Sequence, residues 1–197
     1  MEKITSQFGE CLEEAQRKRQ GQKSLTRHEQ EDFEKQTAFD YAKANDLWID
    51  NLYSLGKPTE VSGYENTLAL DEENGIIYKS NNLFNSGFLI SNLFKQLTIH
   101  NILFPETKYD FVGFTGFDNG KSRIPYVEVI IKQDFVKNAV QATPQEIETF
   151  MSSLDFDKIS STTFSNEKYT VSDLHPRNVL KDPNGIIYVV DNITAEN

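Results

Sequence analysis

The chain has 197 residues, a formal net charge of −10 and 38% hydrophobic residues. This length allows a buried core and one or two domains. The acidic balance argues against binding to a nucleic-acid backbone, which requires clustered lysine and arginine. The single cysteine, Cys11, excludes an intramolecular disulfide, and no apolar run approaches the ~18 residues of a membrane span. We therefore expect a cytoplasmic protein that binds neither nucleic acid nor a membrane.

Residues 1–35 are predicted to form a polar N-terminal arm that is helical or disordered. The segment EEAQRKRQGQKSLTRHEQEDFEKQ offers few apolar side chains for burial, so it cannot offset the entropy cost of its own ordering. A solvated extension without a specific function is the favoured interpretation, and an arm that binds a partner is the alternative.

An amphipathic helix, or two short helices, is predicted over residues 36–55. Apolar residues recur there at spacings of three and four, and Gly56 and Pro58 end the pattern. Trp48, the only tryptophan of the chain, is predicted to anchor this helix by packing. The apolar positions are Phe33, Ala38, Tyr41, Ala42, Ala44, Leu47, Trp48, Leu52 and Leu55.

The central part of the chain predicts strands on both sides of a helix. Residues 67–70 and 76–79 form a strand pair around the turn Glu73-Asn74-Gly75. An apolar helix follows, with Ser91 as its N-cap. Residues 109–114 and 125–131 are predicted to form a second strand pair.

A capping box predicts the next helix. Thr143 and Glu146 have the required spacing, Pro144 occupies the first helical position, and the helix is expected to end near Leu154. Short strands around residues 163–164 and 168–170 are then expected to present Asp173.

The residues that carry the most chemical information lie near the C-terminal end. Asp173 begins the sequence DLHPRN, Asn178 follows five residues later, and Asp191 comes thirteen residues after Asn178. The sequence VLKDPNGIIYVV between them predicts a β-hairpin, because Asn184-Gly185 supplies the positive φ angles of a tight turn. This hairpin would return Asp191 to the neighbourhood of Asn178. Two carboxylates and an amide oxygen would then form a hard-oxygen set suited to Mg²⁺ with bound phosphates.

This pattern resembles the catalytic loop and the metal-binding segment of the protein-kinase-like superfamily. The resemblance implies an α+β, protein-kinase-like fold, with an antiparallel-sheet N-lobe and a truncated C-lobe that ends just after Asp191. It also implies that Asp173 orients the attacking hydroxyl, while Asn178 and Asp191 complete the catalytic set and hold Mg²⁺. His175 is similar to the residue that aminoglycoside and choline phosphotransferases carry in this loop.

The order of the elements implies three nucleotide-binding positions. Gly63 belongs to the loop that approaches the phosphates of ATP, and Lys79 contacts the α- and β-phosphates. Gln133 lies in the hinge that holds adenine through backbone groups. For Lys79, an exposed lysine at a strand end is the alternative. The implied domains are an N-lobe with its leading helix over residues 36–131, and a hinge with the truncated C-lobe over residues 132–197.

The sequence departs from the superfamily pattern at several positions. Val171-Ser172 stands where His-Arg is common, and Asp191-Asn192-Ile193 stands where Asp-Phe-Gly is common. No acidic residue occurs from Ser80 to Phe104, the segment that should supply a glutamate to pair with Lys79. The other acidic candidates for that pairing are Glu60, Glu65 and Glu106. Since only six residues follow Asp191, the resemblance covers an N-lobe, a hinge and the first half of a C-lobe.

Three segments are also similar to a compact kinase-like domain of large multi-domain proteins from bacterial mobile elements. They are GYEN with the strand ending in YK, HNILFPETKYDFVGF, and DLHPRNVL. The resemblance implies a phosphotransferase that uses ATP and Mg²⁺ to modify a hydroxyl group of a protein or small molecule. The alternative is a weakly active or inactive pseudokinase that binds a protein partner through its N-terminal arm and C-terminal hairpin. A third interpretation is an α+β domain whose motif match is accidental.

Overall fold

The chain divides into two compact units. The computed structural model describes residues 9–12, 15, 25–59, 63–118 and 120–197. Within these residues, the first unit is drawn from residues 1–94 and 110–133, and the second from residues 95–109 and 134–197. The three helices discussed below are α1 (Arg27–Ala44), α2 (Ile90–Leu103) and α3 (Pro144–Ser153). Single 3-10 turns occur at Leu52–Ser54 and Pro105–Thr107.

The first unit contains a five-stranded sheet in the order β1-β2-β3-β5-β4. The strands are β1 (Lys57–Pro58), β2 (Asn66–Asp71), β3 (Ile76–Asn81), β4 (Asp110–Phe117) and β5 (Tyr126–Asp134). The pairs β1–β2, β2–β3 and β4–β5 are antiparallel, which confirms both predicted strand pairs. Ala69, Tyr78 and Ile130 pack with Leu52 on one face of this sheet.

The second unit contains two smaller antiparallel sheets. Their orders are β11-β10-β6 and β12-β9-β8-β7. The strands are β6 (Val140–Gln141), β7 (Asp157–Lys158), β8 (Phe164–Ser165), β9 (Tyr169–Ser172), β10 (Val179–Lys181), β11 (Ile187–Val189) and β12 (Ile193–Glu196). Their core includes Met151 from α3 together with Phe164, Leu174 and Val179. The molecule is therefore α+β with antiparallel sheets, as predicted.

Helix α1 begins earlier and ends earlier than the helix predicted over residues 36–55. Its start is a capping box, in which the Thr26 hydroxyl accepts the Glu29 N–H and the Glu29 carboxylate accepts the Thr26 N–H. It ends at Ala44, and Trp48 forms an isolated parallel bridge with Phe114. The predicted boundary at residue 35 falls inside α1. Hydrophobic periodicity missed its first turns because its buried residues include Asp32 and Glu34.

The predicted N-cap role of Ser91 is wrong, because Ser91 lies inside the first turn of α2. Its backbone N–H and its hydroxyl both donate to the carboxylate of Glu34, at 3.0 and 2.7 Å. Glu34 is 0% exposed and also accepts from the Gln30 amide at 3.1 Å. A buried side chain from α1 therefore satisfies a backbone donor that the start of α2 would otherwise leave unpaired.

Helix α3 agrees with its prediction. The Thr143 hydroxyl accepts from the Glu146 N–H, the Glu146 carboxylate accepts from the Thr143 N–H, and Pro144 is the first helical residue. The helix ends at Ser153, with Leu154 as the C-cap. Lys181 from β10 also donates to Glu146. The Lys181 hydrogen bond, followed by those from Thr143, lowers the pKa of Glu146 to about 2.

Candidate functional site

The loop that follows β9 has a conformation set by its own hydrogen bonds and by one buried side chain. Asp173 has φ of 64°, which is unusual for a residue other than glycine. The backbone N–H of His175 donates to Asp173 at 3.0 Å, and that of Asn178 donates to His175 at 2.8 Å. Leu174 is 1% exposed and belongs to the core of the second unit. A residue held at positive φ by such contacts is a candidate for a functional role.

Asn178 is joined directly to Asp173. Its amide nitrogen Nδ2 donates to the Asp173 carboxylate oxygen Oδ2 at 2.9 Å and to the Asp173 backbone oxygen at 3.0 Å. Because both partners are acceptors, these bonds assign the two amide atoms of Asn178. The other amide atom, Oδ1, makes no hydrogen bond within the described parts of the chain. Asn178 therefore orients the carboxylate of Asp173 and retains an oxygen for a ligand.

Backbone pairing brings Asp191 to the same loop. The N–H of Val190 donates to the carbonyl oxygen of Asn178 at 2.9 Å. On the other side of Asp191, Ile193 pairs with Ser172, the residue before Asp173. The predicted hairpin is present, with Val179 opposite Val189. The second unit therefore gathers three of the predicted site residues, Asp173, Asn178 and Asp191.

The hairpin turn differs in detail from the prediction. Gly185 has φ of 86°, but Asn184 is not among the residues with positive φ. The Asp182 carboxylate instead accepts from the backbone N–H groups of Asn184 and Ile186, at 2.9 and 2.8 Å. The connection is therefore a longer loop closed by Asp182, and it keeps the register that returns Asp191 to Asn178.

His175 lies next to the Asp173 carboxylate. Its Nε2 atom is 3.5 Å from Asp173 Oδ1, and its side chain is 26% exposed. Its Nδ1 atom is buried and has no hydrogen-bond partner among the described residues. His175 is therefore placed to help orient the Asp173 carboxylate.

Lys79 lies in β3 of the first unit and is only 5% exposed. It is opposite Leu68 of β2, and its neighbours Tyr78 and Ser80 face the other side of the sheet. An exposed lysine at a strand end, the alternative interpretation, is therefore wrong. Buried lysines are rare in proteins unless they are paired, so this position is unusual.

Gly63 and Gln133 also lie in the first unit. The Gly63 N–H donates to the Asn66 carbonyl oxygen at 3.1 Å, and an added Cβ would meet no atom within 4 Å. Gly63 is thus placed in an open loop before β2. Gln133 is 3% exposed and is the last residue of the first unit. Their proposed contacts with a nucleotide remain predictions.

Helix α2 carries no acidic residue that could pair with Lys79. Among the predicted substitutes, Glu65 accepts from the backbone and the amide of Asn85, at 3.2 and 2.5 Å. Glu106 is exposed in a 3-10 turn of the second unit, and Glu60 lies outside the described residues.

Sequence analysis missed Glu128 of β5. Its carboxylate accepts a hydrogen bond from the hydroxyl of Ser80, next to Lys79 in the chain, and one from Tyr126 at 2.6 Å. Burial, and then the hydrogen bond to Glu128, raise the pKa of Tyr126 far above its ordinary value. The alternation of Tyr126 and Glu128 along a predicted strand was the available signal.

A second group that was not predicted bonds to the residues on either side of Asp191. It consists of His100, Thr107, Tyr109 and Asn192, all in the second unit. The available signal was the motif HNILFPETKY at residues 100–109, which concentrates polar side chains at the end of an apolar helix. In the sequence, this motif supported the family resemblance and supplied Glu106 as a candidate partner of Lys79, and its other polar residues received no role.

The observed features are those of a kinase-like domain. They are antiparallel sheets, a buried lysine in a strand, and a hydrogen-bonded Asp–Asn pair followed by a hairpin and a second Asp. A family model described as Serine/Threonine/Tyrosine Kinase found in polyvalent proteins matches residues 31–195, and the chain belongs to this family. No curated protein and no solved structure matches the chain significantly. The family match confirms the predicted resemblance and overturns the interpretation of an accidental motif.

Two negative findings concern the described residues. None of the helices there is long and apolar enough to cross a membrane. In the same parts of the chain, no three or more His, Cys, Asp or Glu side chains are grouped to hold a metal ion.

Proposed function

We propose that this domain transfers the γ-phosphate of ATP to a hydroxyl group of a protein or a small molecule. The observation that carries the proposal is the pair of hydrogen bonds, 2.9 and 3.0 Å long, that fix Asn178 against Asp173. An oriented carboxylate can accept the proton of an attacking hydroxyl and hold its oxygen in line with the phosphate. Such positioning supplies a large part of the catalysis in phosphoryl transfer.

The donor atoms fit a magnesium ion. The Oδ1 atom of Asn178 and the carboxylate of Asp191 are hard oxygen ligands, and Mg²⁺ commonly takes one or two protein ligands together with phosphate and water oxygens. When bound, the metal would neutralise charge on the phosphates of ATP. Within the protein, Asn178 has the further task of keeping the Asp173 carboxylate oriented.

Three residues of the first unit are assigned to the nucleotide. Lys79 would donate to the α- and β-phosphates, where its positive charge opposes the negative charge of ATP. Gly63 would allow the backbone of its loop to approach the phosphates. Gln133 would hold the adenine base through its backbone groups. These three roles follow from the family membership and from the order of the elements.

The test is ATP turnover by purified protein, measured as ADP release and as self-phosphorylation. Asp173→Asn retains the size of the side chain and tolerates positive φ, so the loop should persist while the proton acceptor is lost. We expect turnover to fall by at least about 100-fold. The matched control is Asp155→Asn, because Asp155 is exposed and also has positive φ, at 60°. Equal turnover by Asp173→Asn and the control would refute the proposed role.

A second candidate function is a nucleotide-binding module with little or no catalysis. The observation that favours it is the lack of an acidic residue in α2, where the superfamily supplies a partner for the strand lysine. On this account the domain binds Mg-ATP and regulates or recruits a protein partner. Binding of Mg-ATP without turnover by the wild-type protein would favour this candidate over the phosphotransferase.

A further inference from the structure

Two hydroxyl groups hold the chain just before Asp191. The Thr107 hydroxyl donates to the carbonyl oxygen of Val189 at 2.6 Å. The Tyr109 hydroxyl donates to the carbonyl oxygen of Val190 at 2.8 Å. Thr107 is 1% exposed and Tyr109 is 4% exposed, so water competes little for these bonds. The two residues before Asp191 are therefore fixed in the second unit.

A histidine from α2 holds the residue just after Asp191. The Nδ1 atom of His100 lies 2.5 Å from Oδ1 of Asn192. On the other edge of the ring, Nε2 donates to the carbonyl oxygen of Thr107 at 2.9 Å. His100 is 2% exposed, and its ring packs against Tyr109 with their centroids 4.6 Å apart.

Asn192 depends on His100 for its position. Because Nε2 donates to Thr107, Nδ1 of a neutral ring accepts, so the Asn192 amide bonds to it by presenting Nδ2, which otherwise is buried without a hydrogen-bond partner among the described residues. The contact with His100 is thus the side-chain hydrogen bond that orients this amide. Tyr109 is itself held by Asn101. The side-chain amide of Asn101 accepts from the N–H of Tyr109 at 2.7 Å and donates to its carbonyl oxygen at 2.9 Å.

We infer that His100, acting through Asn192, is a positioning residue for Asp191. The bonds to Val189 and Val190 hold the chain before Asp191, and the bond between His100 and Asn192 holds it afterwards, so the backbone position from which the Asp191 carboxylate extends is held from both sides. Groups that orient a metal ligand commonly change metal affinity or activity by about 10- to 100-fold when they are removed. The inference rests on the proposed function, in which Asp191 holds Mg²⁺.

Two substitutions of His100 separate its two hydrogen bonds. In His100→Asn, the side-chain amide occupies the place of Nδ1 and its oxygen can accept from the Asn192 amide, while the bond to Thr107 is lost. In His100→Gln, the amide nitrogen occupies the place of Nε2 and can donate to Thr107, while the bond to Asn192 is lost. Both variants remove the ring and should lower the unfolding temperature to a similar degree. The matched control is His28→Gln, because His28 is a helical histidine with an 81% exposed side chain.

The measurement is ATP turnover as a function of Mg²⁺ concentration, with an unfolding temperature for each variant. We expect His100→Gln to reduce turnover, or to raise the half-saturating Mg²⁺ concentration, by about 10-fold or more. His100→Asn should keep most of the wild-type values, and His28→Gln should match the wild type. A purely structural role of His100 would instead give two variants with equal defects, and that result overturns the inference.

Asn192→Ala removes the same hydrogen bond by changing the Asn192 partner instead of His100. This variant keeps the test available if a His100 variant fails to fold. It should reproduce the defect of His100→Gln, and adding His100→Gln to Asn192→Ala should cost little more. The inference is overturned if the fold-losses in turnover of the two single variants multiply in the double variant. It is also overturned if Asn192→Ala keeps full activity. If the wild-type protein turns over no ATP, or if Asp191→Asn leaves its Mg²⁺ dependence unchanged, the proposed function itself fails.

Discussion

The buried carboxylate of Glu34 gives a stability prediction that can be worked from the structure. It is 0% exposed and accepts three hydrogen bonds, two from Ser91 in α2 and one from Gln30 in α1. Glu34→Ala removes the acceptor and leaves the Ser91 donors without their partner, so we expect a loss of about 3–5 kcal/mol in the free energy of unfolding. Glu34→Gln keeps the volume and one acceptor oxygen, and we expect a loss of about 1–2 kcal/mol.

The assay is urea unfolding followed by the fluorescence of Trp48. Trp48 is the only tryptophan, and its ring lies 5.0 Å from that of Phe39 in α1. The signal therefore reports on the unit that contains Glu34, which matters because two compact units need not unfold together. The control is Asp40→Ala, an exposed position of α1 that accepts one bond from Gln36, at 2.9 Å. We expect this control to stay within about 0.5 kcal/mol of the wild type.

The expected order of the urea midpoints is wild type and Asp40→Ala highest, then Glu34→Gln, and Glu34→Ala lowest. A change in midpoint at constant slope identifies a change in stability. If Glu34→Ala unfolds at the same midpoint as Asp40→Ala, the contact between Glu34 and Ser91 does not stabilise the unit, and the account of how α1 joins α2 is refuted.

Three further predictions concern other parts of the chain. The hydrogen bond from Lys181 helps to hold the pKa of Glu146 at about 2, against an ordinary value of 4.5. The stabilisation from this bond is full above pH 4.5 and is lost as the pH falls through about 2. Glu146→Gln should therefore destabilise the protein above pH 4.5, and this difference from the wild type should disappear as the pH falls to about 2. Thermal unfolding at several pH values measures it. Gly116→Ala should lower the free energy of unfolding, measured with urea, by more than about 1 kcal/mol, because φ is 137° and a Cβ would lie 2.0 Å from the backbone oxygen of Tyr126. Lys79→Met removes the positive charge that is proposed to contact the α- and β-phosphates, so calorimetry should show Mg-ATP affinity reduced about tenfold or more.

The local signals in the sequence identified the strands and the capped helix well. The capping box of α3 and the strand pairs β2–β3 and β4–β5 depend on short-range chemistry, which neighbouring residues carry. The register of the final hairpin was also predictable, although the turn is closed by Asp182 rather than by positive φ at Asn184. The spacing of Asp173, Asn178 and Asp191 was sufficient to propose that they gather in one site, whereas the direct bond between Asn178 and Asp173 was not predicted.

Contacts between distant polar residues were beyond the reach of the sequence. The start of α1 does carry a local signal, the capping box of Thr26 and Glu29, but the burial of Glu34 depends on Ser91, which is 57 residues away. The bond between His100 and Asn192 spans 92 residues, and nothing in the local pattern of either residue identifies the other. Hydrophobic periodicity finds apolar faces. It does not find polar residues that become buried because a remote partner satisfies them.

The most direct test of the proposed function is the thermal stability of the wild type and of Asp191→Asn with ATP, with and without Mg²⁺. A ligand at about one hundred times its dissociation constant adds about 2.7 kcal/mol of stability, which corresponds to a rise of about 5–10 °C for a protein of this size. The matched control is Asp157→Asn, because Asp157 is an exposed strand residue. We predict a rise that requires Mg²⁺, that persists in the control and that disappears in Asp191→Asn. No rise in the wild type at millimolar Mg-ATP, or an equal rise in Asp191→Asn, would contradict a nucleotide site that uses Asp191.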